Sequence, residues 1–119
     1  MKIMSIFGTR PEIIRLSRIF PLLDKNFEHI MVNTSQNYTK ELNSVFFDDL
    51  NIRKPDYDLK VNTEAYGIEV ADVIVKTEKL LKKEKPDILL ILGDTNSGLS
   101  AIPAAHQGIT IAHLEAGMR

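Results

Sequence analysis

The stretch Asp87-Ile-Leu-Leu-Ile-Leu-Gly-Asp-Thr95 decides the fold. Ile88 to Leu92 are apolar without interruption, between Pro86, which stops the preceding helix, and Gly93, which opens a turn. A strand that alternates apolar and polar residues is covered on one face. One that is apolar throughout is covered on both, as central strands of parallel sheets are. Parallel strands need long crossovers, usually helical, so helices are expected on either side of this stretch in the sequence.

Both sides supply them. Downstream, Ser97 to Gln107 reads as a helix rich in small residues, with Pro103 inside it as a source of distortion. A last short strand over Ile109 to Ala112 leads into His113-Leu-Glu115. Upstream, a long helix runs from about Ala65 to Lys83, turning Ile68, Ala71 or Val70, Ile74 or Val73, Leu80 and Leu81 inward. Its last turn and the residues after it gather Lys79, Lys82, Lys83 and Lys85, which suits the negative end of a helix dipole and a solvated surface. Asn51 to Thr63 is irregular, with a short strand expected at Tyr57 to Leu59. A helix over roughly Thr39 to Asp49 is expected to bury Leu42, Val45, Phe46 and Leu50, and Glu28 to Asn33 reads as a strand.

At the start, Lys2 to Phe7 is a strand closed by Gly8. Thr9-x-x-Glu12 fits a capping box, so a helix begins near Arg10 or Pro11. Ile13, Leu16, Phe20 and Leu23 share its inner face, and Pro21 is expected to kink or shorten it. The alternation predicts an α/β fold: a Rossmann-like parallel sheet with right-handed crossovers and helices on both faces. The 119 residues suit one domain, without repeat or linker.

Composition narrows the functional classes. Lys plus Arg number 15 and Asp plus Glu 16, a net charge of −1, which excludes a strongly basic nucleic-acid binder while leaving room for a local basic pocket. Without cysteine there is no disulfide, zinc–thiolate site, iron–sulfur cluster or thiol nucleophile. No stretch approaches the roughly 18 apolar residues of a membrane span, and Met1 to Phe7 is too short for a signal peptide. A soluble cytoplasmic protein is expected.

Ligands of doubly wound sheets bind beyond the carboxyl ends of the strands. Here those ends carry Gly8-Thr9-Arg10, Thr34-Ser35-Gln36-Asn37, Gly93-Asp94-Thr95 and His113-Leu-Glu115, which are expected to meet along one rim. Gly8, the amides beyond it and the Arg10 guanidinium suit a phosphate or diphosphate. The alternative is a capped helix whose Arg10 pairs with an acid, and Glu12 favours it because its carboxylate can occupy those amides. The turn is neither a GxGxxG fingerprint nor a Walker loop. Asp94, directly after the buried strand, is placed for proton transfer or for capping the next helix. Glu115 is its possible partner as acid and base, or a surface acid paired with Arg119. Gln36 and Asn37 offer neutral donors and acceptors for sugar hydroxyls, or form a simple turn. His29 and His106 lack metal-ligand companions and read as structural or exposed.

Taken together, Phe-Gly-Thr-Arg-Pro-Glu-Ile-Ile at 7–14, Thr-Ser-Gln-Asn-Tyr at 34–38, Leu-Gly-Asp-Thr-Asn-Ser at 92–97 and His-Leu-Glu-Ala-Gly-Met-Arg at 113–119 resemble the non-hydrolysing UDP-N-acetylglucosamine 2-epimerase family. Family members are longer, with two Rossmann-like domains in a glycosyltransferase-B arrangement and the active site between them. The resemblance thus implies that residues 1–119 are an incomplete N-terminal domain without the C-terminal UDP-binding domain. It implies that these residues alone are inert, and that full-length relatives are homodimers.

The implied reaction is inversion at C2 of a UDP-linked N-acetylhexosamine by elimination and re-addition of UDP, for bacterial surface polysaccharide precursors. On this resemblance Arg10, Asp94 and Glu115 are catalytic. Gly8, Thr9, Arg10, Arg15, Gln36, Asn37, Thr95 and His113 bind substrate, and no metal or nicotinamide is needed. Arg15 stands where the family commonly has Lys. Ser35 and Asn37 replace the Gly and His of a family Thr-Gly-Gln-His motif that holds a second, regulatory nucleotide sugar in some bacterial members, which argues against that regulation here. The run from Gln36 to Tyr57 is similar to the branch that makes UDP-N-acetyl-L-fucosamine. Two other classes stay open: a glycosyltransferase-B transferase domain, and a non-catalytic α/β remnant or scaffold. A receiver domain does not fit, because Gly8-Thr9-Arg10 lacks the acidic pair that would hold Mg²⁺.

Overall fold

The computed structural model describes residues 1–35 and 40–116, with the side chains of residues 40–44 left aside. Five parallel strands form one sheet: β1 (Lys2–Phe7), β2 (Glu28–Asn33), β3 (Tyr57–Asp58), β4 (Ile88–Leu92) and β5 (Thr110–Leu114), in the order β3-β2-β1-β4-β5. The chain works outward from β1 to β3, then crosses back to place β4 on the other side of β1. The resulting switch point, between β1 and β4, is where ligands enter folds of this kind.

The strands are buried because their side chains go to both faces. Ile3, Phe7, Met31, Leu90 and Leu92 join Ile13, Leu16, Phe20 and Phe47 in one core. Met4, Ile6, Ile30, Val32, Leu89 and Ile91 point the other way, onto Leu80, Leu81 and Ala104. The first core is capped by α1 (Arg10–Leu16), α2 (Phe20–Asn26) and α3 (Lys40–Asp49). The second is covered by α4 (Tyr66–Glu84) and α5 (Ala101–His106). Helix α4 ends on Lys85 in the left-handed region, φ 49°, one residue before Pro86. At the far edge β5 pairs with β4 alone among the described residues, its Thr110 and His113 exposed.

Several helical expectations are corrected. The first helix is two helices, broken after Leu16, with Pro21 in the first turn of α2 where its missing N–H costs nothing. Around α3, Phe46 and Leu50 pack partly buried against the core as expected, but Val45 is 56% exposed and Phe47, at 2%, is buried in its place; the Leu42 side chain lies outside the described ones. In α4, Ile68 and Ala71 face solvent, while Val73, Thr77, Leu80 and Leu81 face the sheet. The helix expected from Ser97 opens instead as a 3-10 turn over Asn96–Ser100, and Pro103 then falls in the first turn of α5.

Ser5, His29 and Asn33 are the buried polar residues inside the described strands, and the first two are wired together. His29 Nε2 lies 2.7 Å from Ser5 Oγ and His29 Nδ1 2.9 Å from Asp24 Oδ1, which is also held by Arg53. Neutral imidazole with its proton on Nδ1 satisfies every atom: it donates to Asp24 and accepts from the Ser5 hydroxyl. Burial holds His29 below its ordinary pKa against the pull of Asp24. Burial pushes Asp24 up, but hydrogen bonds from Arg53 and His29 outweigh it and leave the carboxyl below its usual range.

Candidate active site

The β1 turn is organised by Glu12. It stands at the third position of α1, and capping-box geometry turns its side chain back over the N-terminus. Its Oε2 accepts from the Gly8 amide at 2.9 Å, the Thr9 amide at 2.8 Å and the Thr9 hydroxyl at 2.9 Å. Its Oε1 accepts from the hydroxyls of Thr95, at 2.8 Å, and Ser97, at 2.5 Å, which lie 2.7 Å from each other. Glu12 is 1% exposed, so this carboxylate is buried and fully partnered across the switch point. The amides that the sequence offered to a phosphate therefore serve Glu12, as its alternative reading foresaw. Thr9 and Thr95, read as substrate ligands, spend their hydroxyls on the same group.

Arg10 follows on the outside of this turn. Its guanidinium lies 5.6 Å from the centre of the Phe46 ring, a cation–π contact that keeps it extended over α3. Among the described residues no acid pairs with it, so the acid-paired alternative is not realised there.

The other two strand ends lie alongside. Leu92 pairs with Leu114, and the Gly93 amide donates to the Leu114 carbonyl at 2.9 Å. The His113 ring, its Nε2 2.6 Å from the Gly93 carbonyl oxygen, holds the two strand ends together. Gly93 has φ 72°, which swings Asp94 out at the end of β4. Asp94 is exposed, although it directly follows the buried strand. It does not cap the following turn either, because Thr95 occupies the cap position.

Glu115, the residue after β5, is itself left-handed, with φ 57°. Its two carboxylate oxygens each lie 3.1 Å from Arg15 Nη1. Arg15 is thus its partner, where the sequence reading had offered Arg119, which lies outside the described residues. Arg10, Asp94 and Glu115 accordingly follow the carboxyl ends of β1, β4 and β5, three strands adjacent in the sheet. Gln36 and Asn37 lie outside the described residues. Ser97 went unnoticed in the sequence, although it belongs to the same Asp-Thr-Asn-Ser run as Asp94.

The rim is open. A concavity of about 530 Å³ lined by Lys82, Lys85, Asp87 and Gln107, among others, sits at the opposite edge and touches none of these residues. No group of three His, Asp or Glu among the described residues is placed to hold a metal ion. None of the described helices is long and apolar enough to cross a membrane.

Comparison with known proteins establishes the family of the chain. The family model for UDP-N-acetylglucosamine 2-epimerase matches residues 22–119. The chain belongs to the UDP-N-acetylglucosamine 2-epimerase family. A UDP-N-acetylglucosamine 2-epimerase homolog of Methanococcus maripaludis is 40% identical over 120 residues, covering 100% of this chain and 34% of its own. Among solved structures, the UDP-GlcNAc 2-epimerase of Methanocaldococcus jannaschii in complex with UDP-GlcNAc and UDP superposes with a TM-score of 0.92 at 40% identity, over 100% of this chain and 33% of that one. The UDP-N-acetylglucosamine 2-epimerase of Rickettsia bellii gives a TM-score of 0.91 at 51% identity, over 100% of this chain and 32% of that one. The chain therefore spans about a third of the length of the epimerases it matches. Its Rossmann-like sheet is the one seen in the epimerase structures.

Proposed function

We propose that this chain supplies one wall of a UDP-N-acetylhexosamine 2-epimerase site, as an N-terminal domain that is inert without a second wall. One observation carries the proposal: Arg10, Asp94 and Glu115 follow adjacent parallel strand ends, in a fold whose relatives include an epimerase crystallised with UDP-GlcNAc and UDP.

The chemistry constrains the roles. The hydrogen at C2 of the sugar is not next to a carbonyl, so its removal alone would leave an unstabilised carbanion. Loss of that proton to one carboxylate is therefore coupled to breaking of the C1–O bond, whose electron pair leaves with UDP. The product of this anti elimination is a C1=C2 alkene, a 2-acetamidoglucal. Protonation of C2 from the opposite face by the second acid, with return of UDP to C1, completes the inversion with no net oxidation. Asp94 and Glu115 are the two proton carriers in this reading. Arg10 stabilises the charge that gathers on the departing diphosphate. Arg15 and His113 line the same rim as substrate ligands, and the epimerised product enters surface polysaccharide assembly.

The test is a chimera in which this chain replaces the matching third of the M. jannaschii epimerase, assayed with UDP-N-acetylglucosamine and its L-6-deoxy counterparts in D₂O. Deuterium is expected at C2, and Asp94→Asn or Glu115→Gln should each lower its incorporation by about a hundredfold or more. A folded, UDP-binding chimera that exchanges no C2 hydrogen refutes the proposal, as does either variant at full rate. Transfer to an acceptor without exchange would mark a transferase.

A further inference from the structure

We infer that Glu12 is a positioning residue for this site, acting in two ways: its carboxylate clips the Arg10 turn to the Asp94 turn, and it fills the anion seat of the fold with a charge of the protein's own. The inference rests on the diphosphate reading above only for the identity of the ligand that is displaced outward.

The clip follows from the bonding. One carboxylate accepts the amides of Gly8 and Thr9 on one side and the hydroxyls of Thr95 and Ser97 on the other. Thr9 stands immediately before Arg10 and Thr95 immediately after Asp94, with Gly8 one residue and Ser97 two residues further off. No other side-chain hydrogen bond among the described residues joins the β1 turn to the β4 turn. A buried carboxylate is tolerated only when its lone pairs are satisfied, and here the donors on both turns are what satisfy it. Either turn moving away strands the charge, so the two are held at one spacing.

The filled seat follows from the same contacts. The first strand-to-helix turn of a doubly wound sheet ordinarily presents its amides to a phosphate. A phosphate oxygen bound to the Gly8 and Thr9 amides would have to lie where Glu12 Oε2 lies, against a second negative charge. A diphosphate therefore seats further out, on side chains, and the exposed guanidinium of Arg10 is the cation placed there.

Two substitutions separate positioning from mere support. Glutamine keeps the bridge: its oxygen accepts the amides and its NH₂ donates to hydroxyls that can turn to accept. Alanine removes it and opens the seat. The probe is inorganic pyrophosphate added to the ¹⁵N-labelled chain, with amide exchange measured in parallel. In the native chain, pyrophosphate should leave the Gly8 and Thr9 amide signals unmoved. In Glu12→Ala both should shift saturably, and their exchange should quicken by about tenfold or more relative to Met4 and Leu89 in the sheet centre. Glu12→Gln should keep the native exchange pattern.

Shifts of Gly8 and Thr9 in the native chain overturn the inference, as does their silence in Glu12→Ala. Exchange that quickens evenly over the whole sheet, or a glutamine variant that behaves as alanine does, also overturns it, because a purely structural role gives those results. None of these readouts involves turnover, so failure of the chimera leaves them standing and their failure leaves the chimera standing.

Discussion

Glu115 offers a measurable conflict between backbone and side chain. Its φ of 57° places a non-glycine residue in the left-handed region, where the Cβ crowds the neighbouring backbone at a cost of about 1 kcal/mol. The contact holding it there is the pair with Arg15, whose side chains are 58% and 30% exposed for Arg15 and Glu115, so screening limits it to about 0.5 kcal/mol. Glu115→Ala loses the ion pair and keeps the strain, so it should destabilise the chain by about 0.5 kcal/mol. Glu115→Gly loses the ion pair and the strain together, and should end about 0.5 kcal/mol more stable than the native chain.

Glycine should thus exceed alanine by about 1 kcal/mol, roughly 4 °C in melting temperature for a chain of this size. That is the reverse of their order wherever φ is negative. Urea unfolding of the three proteins, compared at constant m, reads the difference. Alanine equal to or more stable than glycine would refute the argument that strain is stored at Glu115. If glycine wins, the carboxylate is kept there at the expense of stability, as expected of a functional residue.

Two further outcomes follow from the buried networks. His29 binds its proton less readily in the folded chain than in the unfolded one, so stability should be level above about pH 6.5 and fall as pH drops below it; Asp24 adds a second loss below about pH 4. Thermal melts of the native chain and of His29→Gln check this, and an unchanged slope between pH 7 and 5 in the variant would remove His29 as the cause. In α3, Phe47→Ala should cost about 3–5 kcal/mol while Val45→Ser stays within about 0.5 kcal/mol in the same urea assay. Equal costs would mean that α3 presents a different face to the sheet.

Strands proved legible: β1 and β2 fall on the expected residues despite Ser5 and His29, and β4 coincides with the apolar run Ile88 to Leu92, whereas β5 is Thr110–Leu114 and not the expected Ile109 to Ala112. Helix faces were harder. In α3 and just after it apolar residues stand at 42, 45, 46, 47 and 50, an arc too wide for periodicity to choose among, and packing against Phe7 settles on Phe47. In α4 the exposed positions Ile68, Ala71 and Val75 are spaced as regularly as the buried ones, so the helix carries two apolar stripes of which the sheet takes one. The candidate site was legible only as a set of strand ends, because parallel topology sends them all to one edge. Its internal wiring was not. Glu12 meets Thr95 and Ser97 across 83 and 85 residues, and Arg15 meets Glu115 across 100, distances over which local sequence carries no signal.

That wiring sorts the polar residues of the rim by what they have left to give. Glu12 and Ser97 are buried with their hydrogen bonds made inside the protein, and exposing either to a ligand would mean breaking a satisfied network, a cost of several kcal/mol. Asp94 is the opposite case: exposed, with no hydrogen bond or ion pair among the described residues, so a substrate meets it at no cost beyond its own desolvation. Arg15 and Glu115 lie between these limits. Their pair is complete in geometry yet open to water, and exchanging it for contacts with a ligand costs no more than about 1 kcal/mol. On the function proposed above, a diphosphate that draws Arg15 away frees Glu115 in the same event. The fixed and the exchangeable ion contacts of the rim therefore divide between architecture and chemistry along the line that burial draws.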